Sequence, residues 1–172
     1  MNKTLKLAAA AAGLALAAFA TASLAHENHV ARPKGAAELA PEQKPWGIVG
    51  KPGAVKRTID IAMADDMTFT PSVIEVREGD TLRLRLKNKG RDLHELVLGT
   101  TAEIEAHAAM MKKFPGMEHD EPWMAHVLPG QTGELVWTFN RAGDFDFACL
   151  VKDHYELGMA GRVRVLPAAG KS

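Results

Sequence analysis

The chain reads Cys149-Leu-Val-Lys-Asp-His154-Tyr-Glu-Leu-Gly-Met159 in its C-terminal part, and Cys149 is the only cysteine among the 172 residues. A thiol, an imidazole and a thioether therefore follow one another on one short segment, with four residues between neighbours. Soft sulfur ligands combined with imidazole suit copper, whereas zinc seldom takes a thioether and calcium and magnesium prefer oxygen. The segment therefore predicts a copper site.

A trigonal copper site of the electron-transfer type needs a second histidine in the plane of the metal. His94 is the best candidate, in the stretch Asp92-Leu-His94-Glu-Leu96. The alternative is that Cys149 is a buried, inert thiol, since free cysteine packs as a small hydrophobic residue. The nearby His154 and Met159 favour a mononuclear type 1 copper site instead. Its predicted ligands are His94, Cys149, His154 and Met159.

A lone histidine on a strand, followed much later by Cys, His and Met on a loop, resembles the ligand pattern of the cupredoxins, which include plastocyanin and azurin. Over residues 59–166 the sequence looks most like the periplasmic cupredoxins associated with bacterial copper tolerance. The matching segments are 67–71 (MTFTP), 94–99 (HELVLG), 127–130 (VLPG) and 147–149 (FAC). The resemblance implies that the ring edge of His154 approaches the surface and passes electrons.

One residue departs from the pattern of that family. In plastocyanin and azurin an asparagine follows the first histidine and helps to tie the two ligand regions together, whereas here the residue is Glu95. Three roles are open for it: a surface salt bridge, a hydrogen-bond acceptor beside the ligands, or a ligand that distorts the site. The colour and the reduction potential of the site stay open for the same reason.

Residues 1–25 are predicted to be a cleavable secretory signal peptide. Lys3 and Lys6 precede an apolar run over residues 7–20, and small residues end at Ala25, the predicted cleavage position, with Ala22 as the competing one. The alternative is a membrane anchor, but the apolar run is too short to cross a bilayer of about 30 Å. We therefore expect a periplasmic protein that has no membrane association after cleavage.

Residues 26–56 are predicted to be a flexible Pro/Gly-rich N-terminal segment. Its prolines at positions 33, 41, 45 and 52 cannot sustain a helix or a central strand, although residues 46–49 are expected to dock on the domain. His26 and His29 lie beside the predicted new N-terminus. They are candidates for binding a cupric ion, and a solvated polar terminus is the alternative.

The remaining chain predicts an all-β Greek-key β-sandwich, cupredoxin-like, over residues 57–168. The clearest strand is 82–87, where three leucines alternate with three cations, the period-2 pattern of a half-buried strand. Further strands are expected at 58–63, 94–98, 133–139, 144–149 and 161–166, separated by turn residues. Short strands at such spacing are typical of a sandwich.

Residues 101–126 are predicted to be a helical, Met/His-containing insert. Thr100 or Thr101 can cap the helix, acidic residues come early, Lys112 and Lys113 come late, and Pro115-Gly116 ends it. Methionines can fill core space, yet thioethers also select Cu(I). We therefore expect an additional weak Cu(I) site. Its candidate ligands are His107, Met110, Met117, His119, Met124 and His126.

The charge balance excludes some functions. Without the two signal-peptide lysines the chain carries 19 basic and 21 acidic residues, a net charge of −2, which argues against nucleic acid as a partner. The sequence has no His-x-His pair of the kind multicopper oxidases use, so we expect no enzyme.

The predicted function is electron transfer, copper tolerance or both, carried out by a monomer. Its expected partner is a redox partner protein, a multicopper oxidase or another copper-handling protein. The alternative is copper storage or delivery through the insert.

Overall fold

The computed structural model describes residues 41–114, 117 and 119–170. Within them the chain forms ten strands, one α-helix and a short 3-10 helix at Pro52–Ala54. The strands are β1 Ile48–Val49, β2 Arg57–Ala64, β3 Thr68–Thr70, β4 Val73–Arg77, β5 Asp80–Asn88, β6 His94–Gly99, β7 Met124–Val127, β8 Thr132–Phe139, β9 Gly143–Ala148 and β10 Ala160–Leu166, and the α-helix is α1 Thr101–Lys113. The predicted signal peptide (residues 1–25), His26 and His29 lie outside the described residues.

The strands form two five-stranded sheets. One has the order β1-β8-β5-β2-β3 and the other the order β4-β10-β9-β6-β7. Strands β2 and β5 pair in parallel, as do β4 and β10, while the other pairs are antiparallel. Neighbours in each sheet are mostly not consecutive in sequence, so the chain crosses between the sheets. The predicted all-β sandwich with one inserted helix is confirmed.

The core lies between the two sheets and follows the period-2 pattern of the sequence. In β5 the three leucines are buried while Arg85 and Lys87 are exposed. Leu84 of β5 faces Leu135 of β8 in the register. Burial of each such side chain stabilises the fold by roughly 1.5–3 kcal/mol, which explains why the alternation decides the register.

The chain before residue 57 packs on the domain in part. Residues 41–56 were placed in a flexible segment of which residues 46–49 were expected to dock, and Ile48 does pair with Thr138 of β8 while Trp46 is buried. The indole nitrogen of Trp137 donates to the carbonyl of Trp46 over 3.0 Å. The domain therefore begins before residue 57. The prolines flank β1 rather than interrupt it, so they do not prevent this pairing.

Helix α1 begins at a capping box. The Thr100 hydroxyl accepts from the Glu103 amide, and the Glu103 carboxylate accepts from the Thr100 amide, so Thr100 is the cap of the two candidates. Ile104 and Ala108 are buried against the outer face of the second sheet. Phe114, which follows the helix, is exposed.

The predicted insert over residues 101–126 contains, besides the predicted helix, a strand that the sequence did not predict. It ends in the strand β7, which pairs with β6 so that His126 lies opposite Glu95. This correction has a tertiary cause, because a four-residue strand acquires its structure from the edge of β6 rather than from a pattern of its own. The predicted helix stop at Pro115-Gly116 lies outside the described residues. No helix in the described part of the chain has the length and apolar character to cross a membrane.

Candidate metal centre

Three of the predicted copper ligands converge at one end of the second sheet. His94 is the first residue of β6, Cys149 follows β9 directly, and His154 lies in the loop before β10. One ligand atom from each lies within 4.8 Å of the others, and all three residues are buried. The sulfur of Cys149 is 3.3 Å from Nδ1 of His154 and 3.9 Å from Nδ1 of His94. Both imidazoles therefore present the same nitrogen to the sulfur.

The fourth predicted ligand, Met159, is held by the same loop. Its carbonyl accepts from the Cys149 amide over 3.1 Å, and its own amide donates to the His154 carbonyl over 2.9 Å. Met159 is fully buried. Gly158, with φ at +99°, adopts the left-handed conformation that lets the loop turn into Met159. The backbone thus places the thioether residue beside the other three, while its ligation stays a prediction.

Glu95 connects the two regions that carry the ligands. The residue is 2% exposed, and its amide donates to the sulfur of Cys149 over 3.4 Å. One carboxylate oxygen accepts from the Leu150 amide over 2.8 Å, and the other lies 2.8 Å from Nε2 of His126. Of the three roles open from the sequence, the structure places Glu95 as a hydrogen-bond acceptor beside the ligands. Its salt bridge with His126 is internal rather than an outward surface pair.

The carboxylate of Asp65 contacts the ring nitrogen of His94 that faces away from Cys149. Oδ1 of Asp65 is 3.1 Å from Nε2 of His94. Hydrogen bonds from the Arg91 amide and from His94 hold the pKa of Asp65 below its usual value. Asp65 was not a candidate from the sequence, because it lies 29 residues before His94 in a turn whose own composition explains its acid residues.

Burial shifts the pKa values of two of the ligand side chains. It raises the pKa of the Cys149 thiol to about 12, against a smaller lowering by the amides of Glu95 and Val151. Burial, and then the neighbouring His94, lowers the pKa of His154. A neutral imidazole and a protonated thiol thus meet in a buried cluster. This set fits a soft cation that displaces the thiol proton, as copper does with thiolate and imidazole ligands.

Three apolar or aromatic side chains on and beside the ligand loop differ in burial. Phe147 is fully buried beneath Cys149, and Tyr155 is half-buried against the cluster that α1 covers. Leu157 is 59% exposed and therefore lies on the surface instead. A loop residue between two turn positions has no strand neighbour to cover it, which explains the difference.

The candidate Cu(I) ligands of the insert separate into three groups. Nε2 of His107 and Nε2 of His119 lie 2.9 Å apart, and Met110 and Met117 are exposed. Met124 is buried under α1, and His126 is engaged by Glu95, so these two serve packing and pairing. The His107–His119 pair was foreseen only as part of a longer set. Among the described residues, His94, Cys149 and His154 are the one group of three or more His, Cys, Asp or Glu side chains that converges.

Comparisons with known proteins relate the chain to copper-binding proteins. The family model described as copper binding proteins of the plastocyanin/azurin family matches residues 55–166. The chain is 46% identical over 121 residues to the copper-resistant cuproprotein CopI of Rubrivivax gelatinosus, covering 70% of this chain and 73% of that protein. It is 31% identical to CopI of Pseudomonas aeruginosa over an alignment of 184 positions, which covers 90% of this chain and 92% of that protein.

Solved structures show the same fold. Auracyanin A, a "blue" copper protein of Chloroflexus aurantiacus, superimposes with a TM-score of 0.54 at 26% identity, covering 63% of this chain and 97% of that one. The predicted resemblance and the predicted copper cofactor are thereby confirmed.

Proposed function

Because this chain belongs to the plastocyanin/azurin family of copper-binding proteins, we propose that it is an exported type 1 copper protein that protects the periplasm against excess copper. The convergence of His94, Cys149 and His154 on one buried point carries the proposal. The CopI relatives are named copper-resistant cuproproteins, and auracyanin A is named a blue copper protein, which supports the same function here. The pattern of residues 1–25 supports export.

In this proposal His94, Cys149 and His154 would hold the copper, with Met159 as the predicted fourth ligand. Bound copper would supply a one-electron Cu(I)/Cu(II) couple. The chain contributes rigidity, because His94 and Cys149 stand at the ends of paired strands and Glu95 bonds to both ligand regions. Burial keeps water from the ligands. These features suit electron transfer to a redox partner protein or a multicopper oxidase rather than an enzyme reaction of its own.

The type 1 site is tested by replacing its only thiol. We expect the purified, copper-loaded protein to bind one copper tightly and to show an intense thiolate-to-Cu(II) band in the visible spectrum. Cys149→Ser should abolish the band. Met124→Leu is the matched control, since it removes another buried sulfur and should leave the band unchanged. A Cys149→Ser protein that kept the band would overturn the site.

We further propose that the insert captures cuprous copper as cargo. The specific observation is the contact between Nε2 of His107 and Nε2 of His119, with the exposed thioethers of Met110 and Met117 on the same insert. Thioether and imidazole ligands favour Cu(I). This arrangement also suits the alternative function, copper storage or delivery without a redox role.

The insert site is tested by anaerobic competition titration against a Cu(I) chelator. Replacing Met110, Met117 and His119 together should lower the Cu(I) stoichiometry while leaving the visible spectrum nearly intact. Met124→Leu again serves as the control, because that methionine packs in the core. A stoichiometry of one in both proteins would exclude the insert site.

Growth on copper separates the two functions. If protection needs the redox centre, cells that carry Cys149→Ser should tolerate less copper even though the insert is intact. Storage or delivery through the insert predicts the opposite pattern: Cys149→Ser keeps most of the tolerance, and the Met110, Met117 and His119 variant loses it. Equal tolerance in all strains would contradict both.

A further inference from the structure

Asp65 lies where a partner for a metal-binding histidine is expected. It stands in the turn between β2 and β3, with Oδ1 at 3.1 Å from Nε2 of His94, while Nδ1 of His94 faces Cys149. A histidine that binds a metal through one nitrogen commonly donates its other N–H to a carboxylate, carbonyl or water, which fixes its tautomer and orientation. The two ring nitrogens of His94 thus have separate partners.

The loop between β5 and β6 holds the carboxylate of Asp65 through backbone hydrogen bonds. The Arg91 amide donates to Oδ2 of Asp65 over 2.8 Å, and the Asp92 amide donates to Oδ1 over 3.3 Å. Asn88, fully buried, holds that loop in turn: its side chain accepts from the Gly90 amide and donates to the Asp92 carbonyl, each over 2.8 Å. The carboxylate is therefore oriented before any metal binds.

Gly90 leaves the space in which the two side chains meet. A Cβ atom at this position would lie 1.9 Å from Oδ1 of Asp65 and 3.1 Å from Nε2 of His94. Any side chain here would displace the carboxylate. The lack of a side chain at Gly90 therefore permits the contact between Asp65 and His94.

We propose that Asp65 is a positioning residue for the copper ligand His94. Its carboxylate accepts the Nε2 proton, which leaves Nδ1 as the ligand nitrogen, and its negative charge favours Cu(II) over Cu(I) and lowers the reduction potential. A charged carboxylate forms a stronger hydrogen bond with the ring N–H of His94 than a neutral carbonyl would. Because the side chain of Asp65 is 37% exposed, solvent screens part of its charge. The proposal rests on the type 1 site and is independent of the role of the insert.

The decisive variants are Asp65→Asn and Asp66→Asn. The first retains the shape but offers one acceptor oxygen where the amides of Arg91 and Asp92 and the ring of His94 need two. The second removes the same charge one residue away, from a carboxylate that accepts from the Thr68 hydroxyl. The pair therefore separates a contact with His94 from a general loss of negative charge.

The reduction potential is the main readout. Loss of the outer partner of a metal-binding histidine typically lowers metal affinity by about 10- to 100-fold. A tenfold loss of affinity for Cu(II), with the affinity for Cu(I) unchanged, raises the reduction potential by about 59 mV. We expect such a rise in Asp65→Asn by spectroelectrochemical titration, and little change in Asp66→Asn. Equal shifts in the two variants, or a fall in Asp65→Asn, would overturn the proposal.

A second measurement needs no copper. In the copper-free protein, nitrogen NMR of the histidine rings should show His94 with its proton on Nε2, and both Asp65→Asn and Gly90→Ala should shift that tautomer equilibrium. An unchanged tautomer in both variants would overturn the proposal even if both fold. Should Cys149→Ser keep its visible band, the type 1 site fails, whereas the tautomer still reports on the Asp65–His94 contact by itself.

Discussion

The amide of Glu95 donates a hydrogen bond to the sulfur of Cys149 across 3.4 Å, although 54 positions separate the two residues. The carboxylate of the same residue accepts from the amide of Leu150. The residue after the first histidine therefore lies against both the ligand sulfur and the backbone that follows it. This gives Glu95 the connecting role that the resemblance assigns to asparagine in plastocyanin and azurin, with a longer and charged side chain.

Removing the carboxylate of Glu95 should destabilise the copper-free protein. In Glu95→Ala the buried Leu150 amide loses its acceptor, which costs about 1–3 kcal/mol of unfolding free energy. Glu95→Gln keeps an acceptor oxygen of similar shape and should lose clearly less. Urea unfolding of both proteins measures the difference. Equal losses would mean that the pairing with His126, rather than the bond to Leu150, carries the effect.

Met159 and His94 should respond differently to replacement. Met159→Leu should still bind copper and should have a higher reduction potential, because loss of a weak donor disfavours Cu(II). His94→Ala should open the site or weaken copper binding. Copper titration followed by redox titration distinguishes these outcomes. Similar, mild effects of both replacements would show that His94 is not an in-plane ligand.

Copper uptake should release a proton. Because burial raises the pKa of Cys149 to about 12, the thiol is protonated in the copper-free protein at neutral pH, and the metal displaces that proton. The affinity for Cu(II) should then rise by about tenfold per pH unit through the neutral range. An indicator dye in weak buffer should report one proton per copper in the natural protein and none in Cys149→Ser. Uptake without proton release would mean that the thiol is already ionised.

Gly161 should not tolerate a side chain. A Cβ atom there would lie 2.2 Å from the ring of Phe147 and 2.6 Å from the Ser72 carbonyl oxygen, so Gly161→Ala should cost about 1–3 kcal/mol by overpacking. Gly53→Ala is the matched control, because nothing lies within 4 Å of the added atom. Thermal unfolding of the two variants compares them. A Gly161→Ala protein as stable as the control would contradict the packing between β9 and β10.

The strands that could be predicted are those whose evidence is local. The leucines of β5 alternate with cations, and the aromatic residues of β9 share a face that continues to Cys149. Such alternation directly records which face is buried. Strands β1, β3 and β7 carry too few residues for a pattern, so their existence follows from the edges they pair with. Strand β4 was also not predicted, although its burial alternates over five residues.

The site divides in the same way. Residues 149–159 place a thiol, an imidazole and a thioether on eleven consecutive positions, so the copper chemistry and the loop that carries it can be read from the sequence alone. The partners of the other groups depend on the folded chain: Asp65 contacts Nε2 of His94, Glu95 contacts Cys149 and Leu150, and His107 contacts His119. The contacts of Asp65 and Glu95 join residues 29, 54 and 55 positions apart. Strand register and turn geometry determine such contacts, so the local sequence around each residue does not predict its partner.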